Sequence, residues 1–194
     1  MFDQREKIVL LIDAANLFAA SKALGFEIDF RKLLDAFRKR AYLLRANYYA
    51  ALVEDQDSSS LRPLIDWLDY NGYQVVTKPV REFTDSLGRR KVKGNMDVEL
   101  AIDALEISKT ADHLVIFSGD GNFTSLVVAL QRNGRKVSVV STMATRPLMI
   151  SDALRREADH FIELDRLRGE ISRAPSESTS NGSENAHAVS ALEA

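Results

Sequence analysis

Lys7-Ile8-Val9-Leu10-Leu11-Ile12-Asp13-Ala14-Ala15-Asn16 governs how the rest of the chain is read. Ile8 to Ile12 is apolar at every position, with no alternation. Successive strand residues point to opposite faces, so an unbroken apolar run belongs to a strand covered on both faces. The prediction is a central strand with helices above and below it. Asp13 and Asn16 stand just past its carboxyl end, where a short helix from Asn16 to Leu24 opens and stops near Gly25.

Working outward, the same rhythm repeats. Asp29 is placed to cap a helix whose Leu33, Leu34 and Phe37 share one face, with Arg38, Lys39 and Arg40 near its end. Tyr42 to Val53 is a long strand candidate. A helix opened by Ser58 or Ser59 runs through Leu64, Ile65 and Leu68 to Asn71-Gly72, and Tyr73 to Lys78 is a further strand. Val80 to Lys93 breaks the pattern: two polar-alternating runs flank Asp85-Ser86-Leu87-Gly88, the signature of a projecting hairpin. Alternation then resumes with a helix from Met96 to Ile107, a strand from Leu114 to Phe117 and a helix from Phe123 to Gln131 stopped by Asn133-Gly134. A strand from Val137 to Val140, a long helix from Pro147 to Ala158 and the run Phe161-Ile162-Glu163-Leu164 follow. Strands separated by helices imply right-handed crossovers and an α/β, mainly parallel sheet with helices on both faces. Ligands of such sheets sit outside the strand carboxyl ends, where strand order reverses.

Composition sets the limits. The 194 residues are 45% hydrophobic and 28% charged, enough for one well-covered core. There is no cysteine, which excludes disulfides, zinc-thiolate sites and cysteine nucleophiles. No apolar run reaches membrane-spanning length, and Met1 to Lys7 is charged, so the expected compartment is the cytoplasm, with no membrane partner. Residues 170–194, rich in Ser, Asn, Glu and Ala, read as a disordered acidic tail after a domain spanning 1–169. Of 26 basic and 28 acidic residues, Arg173 and Glu170, Glu177, Glu184 and Glu193 fall there, which leaves 25 bases against 24 acids in the domain. A near-neutral domain must hold any nucleic acid by a local patch.

Three acids stand at strand or helix ends: Asp13, Asp97 in the first turn after Lys93-Gly94, and Asp120 within Ser118-Gly119-Asp120-Gly121-Asn122-Phe123. Each alone is also what a helix cap or tight turn favours. Together at one sheet edge they form an oxygen-donor set for a hard divalent cation such as Mg²⁺ or Mn²⁺. Carboxylates so gathered repel one another and resist ionisation unless a cation is present. Asn16 and Asn122 serve as caps or neutral oxygen ligands. Asp103 lies about 120° around the helix from Asp97, outside the innermost set, and Glu99 and Asp103 read as solvated. Lys78, Arg81, Arg89, Arg90, Lys91 and Lys93 surround the hairpin, as a clamp on a phosphate backbone or as a charged edge that blocks strand-to-strand aggregation. Tyr48, Tyr49 and Trp67 read as core aromatics. His113, His160 and His187 are scattered, and neither a Ser-His-Asp order nor a P-loop is present.

Ile12-Asp13-Ala-Ala-Asn16-Leu17, then Lys93-Gly94-x-x-Asp97-Val98-x-Leu100-Ala101-x-Asp103, then Ser118-Gly119-Asp120-Gly121-Asn122-Phe123 resemble the NYN domain in its LabA-like branch, among the PIN-like nucleases. The likeness spans roughly Lys7 to Leu164 in order and spacing. It implies a Rossmann-like, PIN-like sheet and a metal-dependent ribonuclease acting on single-stranded RNA. In that reading Asp13, Asp97 and Asp120 are catalytic and metal-binding, and Asn122 joins them on the metal. Asn16, Ser118 and Asp103 support the site, and Lys93, Lys91, Arg90, Arg89 and Arg81 draw in the RNA. PIN-like domains often pair, which leaves a homodimer open. One departure stands out: Asn122 replaces the second acid of the family's Ser-Gly-Asp-x-Asp-Phe motif. An amide oxygen brings no charge and cannot serve as a general base, so a one-ion site is expected, or a non-catalytic module that binds RNA or protein. A dehalogenase-type phosphohydrolase is disfavoured because Ala15, not an acid, stands two residues after Asp13.

Overall fold

The computed structural model describes residues 2–53, 61–84, 90–93 and 95–174. In chain order its elements are β1 (Lys7–Asp13), α1 (Ala14–Ala23), α2 (Phe30–Arg38), β2 (Tyr42–Val53), α3 (Arg62–Tyr70), β3 (Gln74–Thr84) and β4 (Arg90–Lys93). There follow α4 (Asp97–Ile107), β5 (His113–Phe117), a 3₁₀ turn at Gly121–Phe123, α5 (Thr124–Arg132), β6 (Lys136–Ser141), α6 (Asp152–Glu157), β7 (His160–Glu163) and α7 (Leu164–Ile171).

The sheet runs β4-β3-β2-β1-β5-β6-β7, parallel throughout except for the antiparallel β3–β4 pair. β1 is central, as its unbroken apolar run requires. Ile8, Leu10 and Ile12 enter one core with Leu17, Leu33, Phe37, Leu68, Leu164 and Ile171, from α1, α2, α3 and α7. Val9 and Leu11 enter the opposite core with Leu100, Ala104, Leu126, Leu130 and Leu154, from α4, α5 and α6. The chain builds outward from β1 to β3 on one side, then returns to lay β5 against β1 and builds outward on the other. Strand order therefore reverses between β1 and β5, the place where such sheets leave a crevice for ligands.

Several boundaries differ from the sequence reading. α1 starts at Ala14 because Asp13, rather than Asn16, is its cap, accepting from the Asn16 backbone N–H. α3 starts at Arg62 with Pro63 in its first turn and no side-chain cap; Ser58 and Ser59 lie outside the described residues, as does the turn Asp85–Gly88. β3 is continuous from Gln74 to Thr84 and turns its far half to β4, with Arg81 opposite Lys93. The long helix expected over Pro147 to Ala158 is confined to Asp152–Glu157, capped by the Ser151 hydroxyl. Pro147 lacks an N–H and restrains Arg146, and the backbone groups beyond it are committed elsewhere. The Met149 carbonyl accepts from Ser141 Oγ at 2.7 Å, and the Ser151 N–H donates to the Gly119 carbonyl at 2.9 Å. Phe161 to Leu164 yields β7 and then a helix, α7, that the sequence reading lacked. The fold also continues past residue 169: Ile171 is fully buried and Ser172 bridges Ile28. Residues 175–194 lie outside the described residues. Among the described residues no helix is long and apolar enough to cross a membrane.

At the opposite, amino end of the strands, His113 is fully buried. Its Nε2 lies 2.7 Å from Ser138 Oγ and its Nδ1 faces Glu6 Oε2 at 3.3 Å, while Glu6 also pairs with Lys136. Phe2 stacks on the imidazole. Burial holds the His113 pKa below its ordinary value despite Glu6, with Lys136 and His160 adding to the depression. The unfolded chain therefore takes up a proton that the fold resists, and stability falls as pH drops through the ordinary histidine range near 6.5. We expect urea-unfolding free energies to decline from pH 7.5 to 5.5 by at most about 1.4 kcal/mol per pH unit for this one proton. His113→Asn should remove that part of the slope, and an unchanged slope would show that the imidazole is not its source.

Candidate active site

The carboxyl ends of β1 and β5 carry the two turns singled out in the sequence, and Ser118 joins them. Asp13 Oδ1 accepts from the Asn16 N–H at 3.3 Å, and Oδ2 accepts from Asn16 Nδ2 at 2.6 Å and Ser118 Oγ at 3.1 Å. The Ser118 hydroxyl in turn accepts from the Asp120 N–H at 3.2 Å, and Asn16 Oδ1 accepts from the Gly119 N–H at 3.4 Å. Asn16 and Ser118 thus clip the β1 turn to the β5 turn. Asp120 caps the 3₁₀ turn by accepting from the Asn122 N–H at 2.9 Å.

Asp97 reaches the same place from α4. Its Oδ2 accepts from Asn95 Nδ2 at 2.6 Å and from Asn122 Nδ2 at 3.4 Å, and Asn122 Nδ2 lies at 3.4 Å from Asp120 Oδ2 as well. One amide group therefore stands between two carboxylates. Asn95 carries no role in the sequence reading, and only its position two residues before Asp97 could have signalled one.

The electrostatics follow from crowding. Asp13 is 8% exposed. Burial raises its pKa, partly offset by the Asn16 and Ser118 hydrogen bonds and reinforced by the charge on Asp120. Asp97 is raised by burial and then by the charges of Asp120, Asp13 and Glu99. No ion pair from Lys78 or from a basic residue outside 80–94 reaches Asp13, Asp97 or Asp120 among the side chains described. Nor do three acidic or histidine side chains stand close enough there to make a preassembled metal cage. The acids are near enough to feel one another, but their lone pairs are turned to amide and hydroxyl donors. The donor set is oxygen alone and negative, and so it fits a hard divalent ion in chemistry.

Asp103 is elsewhere. Its Oδ2 accepts from the Tyr49 hydroxyl at 3.0 Å, down the helix from Asp97. Glu99 is tied to Lys78 Nζ at 2.8 Å rather than solvated, which takes Lys78 out of a free basic patch. Arg81, Arg90, Lys91 and Lys93 fall on the β3–β4 pair, whose β4 is the sheet edge and whose last residue precedes Asp97 by four. That placement accommodates both a phosphate clamp and a charged edge. Arg89 lies outside the described residues. Tyr48 and Tyr49 are buried in the two cores, as expected of core aromatics, and Trp67 packs against the first.

The NYN domain family matches residues 7–165. The chain is 34% identical over 171 residues to the low amplitude and bright protein LabA of Synechococcus elongatus, covering 86% of this chain and 88% of that protein. A crystal structure of a protein of unknown function from Vibrio parahaemolyticus superposes with a TM-score of 0.70 at 27% identity, over 89% of this chain and 99% of the other.

The loop from Thr142 to Ser151 packs directly behind the site. A Cβ added at Gly119 would lie 1.6 Å from the Met149 carbonyl oxygen, a backbone atom that cannot turn aside. Gly119→Ala should therefore destabilise the fold by roughly 3 kcal/mol or more. Gly169→Ala, where a Cβ meets open space, should be neutral or mildly stabilising in α7. Equal urea midpoints for the two variants would show that the loop is not seated on Gly119.

Proposed function

The chain belongs to the NYN domain family, whose members are generally nucleases, and from that premise we propose that it is a one-metal ribonuclease acting on single-stranded RNA. The observation that supports the reading is the placement of Asp13, Asp97 and Asp120, from three separate elements, beside the β1/β5 reversal point, joined through Asn16, Ser118 and Asn122 and near enough for their charges to act on one another. Those three aspartates would hold Mg²⁺ or Mn²⁺, with Asn122 offering its amide oxygen. Such an ion, when bound, lowers the pKa of a coordinated water and offsets charge developing on a phosphodiester.

The chain's own groups do the positioning. Ser118 and Asn16 fix the Asp13 carboxylate. Asn95 orients Asp97. Arg81, Arg89, Arg90, Lys91 and Lys93 would track the RNA backbone by charge, so binding should weaken with salt. The natural setting of such an enzyme is the cytoplasm, and a pair of copies would present two such sites.

A second reading has its own observation. The Asn122 amide already donates to both Asp97 and Asp120, which partly satisfies them without an ion. That favours a binding or regulatory module that keeps the fold and not the chemistry.

The two readings separate cleanly. On labelled single-stranded RNA with Mg²⁺ or Mn²⁺, the ribonuclease reading expects cleavage that chelator abolishes and that Asp13→Asn and Asp120→Asn each reduce by at least roughly 100-fold. Mg²⁺ should raise the melting temperature of the wild type and not of Asp120→Asn. Asn122→Asp should tighten metal binding by restoring a fourth charge. Undiminished cleavage in both aspartate variants removes the assigned site, while RNA binding that ignores chelator with no cleavage at all selects the second reading.

A further inference from the structure

The outward face of α4 differs from the rest of the surface. Leu100 and Ala104 turn inward and are fully buried against the sheet. Val98, Ile102 and Leu105, spaced by four and then three residues, fall on the other side of the helix at about 100° per residue. They are 61%, 54% and 40% exposed. Among the described residues only six large apolar or aromatic side chains are exposed, so half of them share one short stripe. Such residues scattered singly need no explanation, whereas a contiguous patch marks a contact surface.

The charges along the stripe say what covers it. The amino end of α4 is acidic, with Asp97 and Glu99 in its first turn. Lys109 follows just past the carboxyl end, on the same face as Ile102 by the helical repeat. Lys109 and Glu106 are exposed, and neither forms an ion pair among the described residues. A stripe that is acidic at one end, basic at the other and apolar between is complementary to itself run backwards, as a two-fold contact requires. We propose that this face binds a second copy of the chain, α4 against antiparallel α4, about an axis at Ile102. At about 1.5 Å per residue, Val98 then stands within about 2 Å, along the helix, of the partner's Leu105, and Ile102 meets its own equivalent. Lys109 comes within about 3 Å, by the same measure, of the level of the partner's Asp97. Glu106 reaches the level of the partner's Glu99, whose charge Lys78 already offsets at 2.8 Å. One helix face on each copy is a small interface, at or below about 1,200 Å² in total, so association in the micromolar range is expected. The pairing does not depend on whether the strand-end aspartates hold a metal.

The test is sedimentation equilibrium of the full chain from about 5 to about 500 µM, a range that brackets a micromolar dissociation constant. The wild type should pass from monomer to dimer. Ile102→Glu sets two carboxylates face to face on the axis and should weaken association by at least roughly tenfold, and Lys109→Glu should weaken it less. Because the chain has no cysteine, disulfide capture gives a second measurement that does not depend on the glutamate variants. Under mild oxidation Ile102→Cys should link into a covalent dimer much faster than Leu148→Cys, an equally exposed position on the loop behind the candidate active site. A wild type that stays monomeric throughout overturns the proposal. So does a dimer that Ile102→Glu leaves intact, or an Ile102→Cys variant that links no faster than the Leu148→Cys control.

Discussion

A carboxylate at the end of a fully buried central strand is costly to keep charged, and much of this structure is arranged around that cost. Asp13 cannot escape to solvent because β1 is flanked on both sides and covered on both faces. Ser118 and two groups of Asn16 supply the donors that hold it, and these donors can reach it only because β5 lies beside β1 in register, Ile12 opposite Phe117. The reversal of strand order and the acidic site are therefore one feature. Moving β5 to any other position in the sheet would leave Asp13 buried without Ser118, and leave Asp120 distant from it.

Much of this was legible in the sequence because the governing signals are local. The unbroken run Ile8 to Ile12 demanded two covered faces, and Gly and Asn after apolar stretches marked helix ends at Gly25, Gly72 and Gly134, all three of which take positive φ in the structure. Asp13, Asn16, Ser118 and Asp120 were legible because they fall immediately past strands. Asp97 was legible only through helical phase together with the family motif.

What escaped the sequence reading was set by distant partners. The Pro147 to Ala158 stretch has helical composition, yet its first half is held as a loop by Ser141, Gly119 and Thr142, residues from the ends of two strands. α7 was not expected, because its face of Leu164, Leu167 and Ile171 acquires meaning only against α2 and β7. Glu99 looked solvated because Lys78, its partner, is 21 residues away. Asp103 shares a motif with Asp97 but not a site, since its bond to Tyr49 depends on which face of β2 meets α4.

Asn122 is where these considerations meet. Two unit charges about 6 Å apart at an effective dielectric of 20 repel by roughly 3 kcal/mol, so a fourth carboxylate among three would add several kcal/mol of repulsion to the ion-free fold. Asparagine removes that charge and supplies an N–H₂ that reaches two of the remaining acids. The same exchange weakens the attraction for a dication by one full charge. The substitution therefore trades affinity for metal against tolerance of its absence. Three negative charges still remain at the reversal point with two of their pKa values raised. Their persistence is the physical support for the one-metal reading, since a bound dication would offset charge that the amide of Asn122 only partly satisfies.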